Sequence, residues 1–122
     1  MVVGVAQTAS RRKIRYPSLF LIAVMVPTVS VLMATHTLEV IVWSLTYSIV
    51  DAAPADANLV YFAFVNYTTL GYGDVVPVER WRLLGPMTAM NGVLLFGWST
   101  AVIFEVLRKA LALQQRKIGE GW

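Results

Sequence analysis

Thr69-Leu-Gly-Tyr-Gly-Asp74 is the stretch that decides the fold of this chain. Two glycines alternate with two bulkier residues, a hydroxyl residue begins the stretch and a carboxylate ends it. Glycine adopts positive φ at little cost, whereas residues with a Cβ resist it. A backbone with this alternation can turn successive carbonyl oxygens toward one axis. We therefore expect residues 69–73 to be extended backbone whose peptide oxygens carry the chemistry.

The composition around this stretch is that of a membrane protein. Of the 122 residues, 57% are hydrophobic and 14% are charged, whereas soluble domains are roughly 45–50% apolar and about 25% charged. The chain has no cysteine, which excludes disulfides, thiol catalysis and cysteine-ligated zinc. Its single histidine, His36, excludes a multi-histidine metal site within one chain. An enzyme therefore has almost no support, and no cofactor is expected.

Two long apolar segments flank the stretch, and a short one precedes it. Residues 17–50 and 83–112 predict an outer and an inner transmembrane helix, whereas residues 58–69 are too short to span the bilayer. A helix over 17–50 would be about 51 Å long, against a hydrocarbon core of about 30 Å. It must therefore tilt, project beyond the bilayer or bend at Pro27. The short segment is interpreted as a re-entrant helix whose negative C-terminal end points toward the membrane centre.

Basic residues lie near both ends of the chain, beside the apolar segments. Lys and Arg next to membrane spans mark the cytoplasmic side, so residues 1–16 and 113–122 are predicted to be cytoplasmic tails of a multi-pass protein. Nucleic-acid binding is disfavoured because both clusters adjoin hydrophobic segments. The clusters are Arg11, Arg12, Lys13 and Arg15 near the N-terminus and Arg108, Lys109, Arg116 and Lys117 near the C-terminus.

The order of outer helix, short helix, glycine-bearing stretch and inner helix resembles the pore domain of two-transmembrane bacterial potassium channels, over about residues 18–112. The double threonine Thr68-Thr69, both glycines and Asp74 are the most specific part, and Leu70 stands where many members carry Val. The resemblance implies an all-α membrane protein in which two transmembrane helices flank a re-entrant pore helix and a selectivity filter. It also implies assembly as a homotetramer in the plasma or inner membrane.

The resemblance assigns roles to the filter, residues 69–73. The groups that would coordinate dehydrated potassium, the permeant ion, are the backbone carbonyls of Thr69, Leu70, Gly71 and Tyr72, with Gly73 completing the filter. Rings of carbonyls replace the hydration shell of the ion, and potassium channels are the standard case of such a filter. Because one chain supplies one wall, three further copies of the chain are needed as partners.

Five inner-helix residues are candidates for lining the cavity and for gating: Gly92, Phe96, Gly97, Thr100 and Phe104. In the family, a glycine midway along this helix is the gating hinge, and Gly92 falls there if one residue is deleted from the preceding loop. Glycine costs about 1 kcal/mol against alanine inside a helix. Close packing through small residues is the equal alternative for Gly92. Phe104 is either a hydrophobic constriction or a lipid-facing aromatic.

Polar side chains near the filter and inside the spans are the remaining candidates. Tyr61 is placed to donate a hydrogen bond to Asp74 and so to brace the outer end of the filter. His36 and Glu39 share one face of the outer helix, and Asn91 lies near the middle of the inner helix. Ionisable groups inside a membrane are commonly functional. The three could form a cluster in which His36 confers pH sensitivity, or a static polar tie that fixes helix packing, which we favour.

The sequence therefore predicts a potassium-selective ion channel that conducts K⁺ passively across the membrane through a carbonyl-lined filter. Two alternatives stay open, a weakly selective monovalent cation channel and a non-conducting membrane partner subunit that retains the filter residues. The expected partners are three further copies and the lipid bilayer, with no nucleic acid. The stimulus that opens the pore, and any regulatory subunit, are not indicated by the sequence.

Overall fold

The computed structural model describes residues 16–120, which fold into three α-helices and one 3-10 turn. Their bounds are Pro17–Val50 for α1, Leu59–Tyr67 for α2, Glu79–Trp81 for the 3-10 turn and Leu84–Gly119 for α3. α1 and α3 are each long and apolar enough to cross a membrane, whereas α2 has nine residues. The predicted all-α architecture is confirmed. The N-terminal tail with its basic cluster lies outside the described residues, apart from Tyr16.

The ends of α1 and α2 follow from local chemistry. The predicted outer helix, 17–50, agrees with α1. α2 begins one residue later than predicted because Asn58 is its N-cap and accepts a hydrogen bond from the backbone N–H of Tyr61 at 3.0 Å. α2 ends at Tyr67 instead of residue 69. The reason is that the chain leaves the helical conformation just beyond, where Thr69 has a φ of +62°.

α3 is longer than predicted. The inner helix is predicted over 83–112, and the helix continues to Gly119, so residues 113–119 of the predicted C-terminal tail are helical. The cytoplasmic placement of residues 113–122 stays a prediction. Residues 110–118 contain no glycine or proline and consist mostly of strong helix formers. Arg116 and Lys117 lie in the last turn, where positive charge complements the helix dipole. The helix therefore extends beyond its apolar residues.

The buried core lies where α2 packs against both α1 and α3. Val40 and Tyr47 of α1, and Phe62 and Tyr67 of α2, are each at most 1% exposed. The rings of Tyr47 and Phe62 are 5.0 Å apart between centroids. Many apolar side chains elsewhere on α1 and α3 are exposed in the single chain. Such surfaces suit contact with lipid or with further protein.

Three hydrogen bonds between side chains join α1 to α3 in antiparallel register. The pairs are Tyr47 with Thr88, Trp43 with Asn91, and His36 with Ser99. In the middle pair, the indole N–H of Trp43 donates to Oδ1 of Asn91 at 3.0 Å. Polar groups without a partner are costly inside a membrane, so these bonds favour this one register of the two long helices.

The backbone of α2 approaches α3 closely at Gly92. A Cβ at this position would collide with the carbonyl oxygen of Tyr67, at the end of α2. Gly97, one and a half turns further along α3, has no atom within 4 Å of an added Cβ. Gly92 therefore serves close packing of backbones, and its action as a hinge stays a prediction.

Replacing Gly92 by Ala is expected to destabilise the fold by about 1–3 kcal/mol or more, because the added methyl group overlaps the Tyr67 carbonyl. Gly97→Ala is the matched control, since it adds the same group where the chain leaves space and gains up to about 1 kcal/mol of helix propensity. Thermal unfolding in detergent should rank Gly92→Ala well below the unsubstituted protein and Gly97→Ala at or above it. Equal unfolding temperatures for all three proteins would contradict the close contact.

Candidate functional site

The backbone of residues 69–73 departs from helical geometry in an alternating pattern. φ is positive at Thr69 (+62°), Gly71 (+59°) and Gly73 (+76°), but not at the two residues between them. The glycines adopt this conformation readily. Thr69 is β-branched, and positive φ there is a genuine outlier that costs about 1–3 kcal/mol. Such a conformation persists only where the surrounding structure holds it.

Hydrogen bonds to the end of α2 hold this backbone in place. The N–H of Thr69 donates to the carbonyl of Asn66 at 3.1 Å. The N–H groups of Leu70 and Gly71 both donate to the carbonyl of Val65, at 3.0 and 3.4 Å. The last carbonyls of a helix have no partner within that helix. The pairing therefore satisfies the free acceptors of α2 and the free donors of the extended segment together.

The same pairing decides which way the carbonyl oxygens point. In a planar trans peptide, the N–H of one residue and the C=O of the preceding residue point in opposite directions, and no described peptide bond is cis. The carbonyls of Thr68, Thr69 and Leu70 therefore point away from α2. Every residue from Thr68 to Asp74 is exposed in the single chain. The site is thus an open row of peptide oxygens, which are hard ligands suited to hard cations.

Tyr61 contacts the end of the segment that carries Asp74. Its hydroxyl donates to Oδ2 of Asp74 at 2.7 Å, which confirms the predicted contact. This hydrogen bond to a carboxylate raises the pKa of Tyr61, because a phenolate would lose the bond and face a like charge. The phenol therefore stays protonated and remains a donor at neutral pH. Its action as a brace stays a prediction.

The inner-helix candidates have different surroundings. The ring of Phe96 packs against His36 and Tyr67, with centroid distances of 4.8 and 5.4 Å, so it lies against the end of α2. Thr100 donates its hydroxyl to the carbonyl of Phe96 at 2.9 Å. Phe104 is 67% exposed in the single chain. That exposure suits both a constriction and a lipid-facing aromatic, so both interpretations of Phe104 stay predictions.

The predicted cluster of His36, Glu39 and Asn91 is wrong as a single group. His36 bonds to Ser99, and Asn91 bonds to Trp43. The antiparallel register explains this, because it places Asn91 opposite a residue two turns along α1 from His36. Glu39 lines a cleft between α1 and α3 together with His36. The pH sensitivity of His36 stays a prediction.

Two polar partners of His36 were missed by reasoning from the sequence. They are Tyr67, the last residue of α2, and Ser99, on α3. Both carry hydroxyl groups and lie on helices that the sequence predicts, Tyr67 on α2 and Ser99 on α3. Their pairing with His36 could be found only from the register of three helices, and a single sequence does not contain that register.

Comparison with known families supplies an independent finding. A protein-family model described as an ion channel family matches residues 35–109, which is 75 of the 122 residues. The matched region runs from the second half of α1 to the last third of α3 and includes residues 69–74. No curated protein and no solved structure matches the chain.

The Tyr61–Asp74 bond predicts that Tyr61 ionises at a higher pH than an ordinary tyrosine. Asp74→Asn is expected to lower the pKa of Tyr61, because the carboxylate that opposes the phenolate is gone. Phenolate absorbance during alkaline titration measures this, and subtracting the same titration of a Tyr61→Phe counterpart isolates the residue from the other four tyrosines. An equal pKa of Tyr61 in the unsubstituted protein and in Asp74→Asn would contradict the contact.

Proposed function

Because the chain belongs to the ion channel family, we propose that it is a potassium-selective channel of the plasma or inner membrane. It would conduct K⁺ passively, down its electrochemical gradient. Membership of the family makes the chain a membrane protein of ion transport, and the choice of ion is our proposal. The observation that carries it is the direction of the Thr69 and Leu70 carbonyls, whose oxygens point away from α2 because the N–H groups of the residues that follow them are bonded to it.

Potassium would exchange its hydration shell for rings of these peptide oxygens. The oxygens are proposed to come from the carbonyls of Thr69, Leu70, Gly71 and Tyr72, and the Thr69 hydroxyl would add the innermost ring. Leucine at position 70 leaves the coordinating atom unchanged, because that atom belongs to the backbone. Selectivity is therefore expected to survive the difference from the more common valine.

The position of α2 supports a cation site at its end. The C-terminus of a helix carries a partial negative charge equivalent to about half an electron. α2 ends at Tyr67, two residues before the filter begins. A cation held by the filter would therefore lie near this negative end, in surroundings where low dielectric strengthens the attraction.

The exposure of the filter supports assembly from several copies. Non-helical backbone at membrane depth is tolerated only when it is buried in protein or lines a water-filled cavity. In the single chain, Leu70 is 53% exposed and Tyr72 is 70% exposed, and the backbone between them is open. We propose that four copies around one axis cover these side chains and surround the ion with oxygens.

The orientation in the membrane is proposed from the charges. α1 and α3 are antiparallel and each is long enough to cross once, so two crossings would return the chain to the side on which it began. Basic residues mark the cytoplasmic side. The cytoplasmic end of α3 would carry Arg108, Lys109, Arg116 and Lys117.

Purified protein in liposomes should pass K⁺ much faster than Na⁺, and Ba²⁺ should block the flux. Gly71→Ala is expected to abolish it, because alanine at a φ of +59° costs about 1–2 kcal/mol in each copy and disturbs the carbonyl row. Gly119→Ala is the matched control. It changes the same residue type at the end of α3, where nothing lies within 4 Å of an added Cβ.

The flux experiment also separates the alternatives. Equal K⁺ and Na⁺ flux would contradict potassium selectivity and favour a weakly selective cation channel. No flux of either ion from correctly assembled protein would favour a non-conducting partner subunit. Full K⁺ flux in Gly71→Ala would contradict the role of the filter backbone, whatever the selectivity of the unsubstituted protein.

A further inference from the structure

His36 joins all three helices through one ring. Its Nδ1 lies 2.8 Å from Oη of Tyr67 in α2, and its Nε2 lies 2.8 Å from Oγ of Ser99 in α3. The ring itself belongs to α1 and is half-buried. Phe96 packs against it at a centroid distance of 4.8 Å. Each ring nitrogen of His36 is therefore used by a different helix.

Tyr67 connects this ring to the filter. It is the last residue of α2 and is 1% exposed, and its carbonyl oxygen packs against Gly92. The carbonyls of Val65 and Asn66, which accept the filter N–H groups, lie within the same turn of α2. A displacement of the Tyr67 side chain would therefore be passed to the acceptors that hold the filter.

Ser99 connects the ring to the middle of α3. It lies two residues after Gly97, where the chain leaves open space around the backbone. A hydrogen bond weakens steeply when its distance and angle depart from the favourable range. A shift of α3 near Ser99 would therefore either carry the imidazole with it or break the contact.

We propose that His36 is a positioning residue that couples the position of α3 to the inner end of the filter, by holding Ser99 and Tyr67 at the same time. The inference deepens the proposed channel function and rests on it for its physiological meaning. The contacts of His36 with Ser99 and Tyr67 do not depend on which ion the channel conducts.

The chemistry of imidazole suits this role. A neutral histidine has one donor and one acceptor nitrogen, and a hydroxyl can donate or accept. Either tautomer of His36 therefore satisfies both Tyr67 and Ser99. A glutamine amide also offers a donor and an acceptor, so Gln is the variant that can retain both contacts, whereas Leu retains neither.

The other contacts between α1 and α3 provide the comparison. The hydrogen bond of Trp43 to Asn91 joins these two helices and involves no residue of α2. Loss of that bond should weaken packing alone. Thr37, next to His36, is exposed, and its hydroxyl donates to the carbonyl of Met33 in its own helix. A change at Thr37 should alter neither packing nor coupling.

Recordings from single channels in planar bilayers test the coupling. Ser99→Ala and Tyr67→Phe each remove one contact and are each expected to change the open probability by roughly threefold or more, in the same direction, which is the size of one interhelical hydrogen bond. The double variant should equal either single one, because one missing contact already uncouples the helices. Unit conductance and the K⁺/Na⁺ permeability ratio should stay at the values of the unsubstituted protein, since the carbonyl oxygens are unchanged.

Variants at the ring and its neighbours complete this experiment. His36→Leu should match Ser99→Ala, and His36→Gln should restore most of the open probability. Trp43→Phe should lower the unfolding temperature but keep the open probability, and Thr37→Val should change neither. Additive effects of Ser99→Ala and Tyr67→Phe, or a normal open probability in His36→Leu, would overturn the proposal.

Hydrogen exchange separates a failure of the coupling from a failure of the channel function. If the unsubstituted protein carries no K⁺ current, the proposed function fails, and the coupling can still be measured at the backbone. Ser99→Ala should speed deuterium uptake at the N–H groups of residues 69–71, whereas Trp43→Phe should not. Equal uptake in Ser99→Ala and the unsubstituted protein would overturn the coupling, with or without ion flux.

Discussion

The hydrogen bonds from the N–H groups of residues 69–71 to the end of α2 are the constraint on which the rest of the structure depends. Inside a membrane, non-helical backbone is tolerated only where it is buried in protein or lines a water-filled cavity, and no strand lies beside this segment within residues 16–120. α2 offers its unpaired carbonyls of Val65 and Asn66 and so holds the strained backbone at Thr69. Among the oxygens left free are those of Thr69 and Leu70, two of the four that the proposed function uses.

The two long helices keep α2 in position for this pairing. Gly92 lets the carbonyl end of α2 lie directly against α3, while Tyr47 and Phe62 pack its other side against α1. Side-chain hydrogen bonds along α1 and α3 favour one register of the pair. His36 lies at the inner end of this arrangement and also contacts Tyr67. Residues 69–71, α2 and α3 are thus joined through a small number of specific contacts.

Local features of the chain could be predicted, and contacts between distant segments could not. The long helices follow from runs of apolar residues, and the backbone at 69–73 follows from alternating glycines. The Tyr61–Asp74 bond joins residues 13 positions apart, within reach of a local argument. The His36–Ser99 bond spans 63 positions and depends on the register of α1 against α3. α3 continues past its predicted end at residue 112 because helix propensity, and not hydropathy, extends it there.

The most direct test of the central claim is electron microscopy of the assembled protein in a lipid membrane with K⁺ present. We expect four chains around one axis, with successive rings of oxygens from the carbonyls of Thr69, Leu70, Gly71 and Tyr72. Density for ions should lie on the axis between these rings. A different number of chains, an axis closed by side chains, or filter oxygens that face away from the axis would contradict the account.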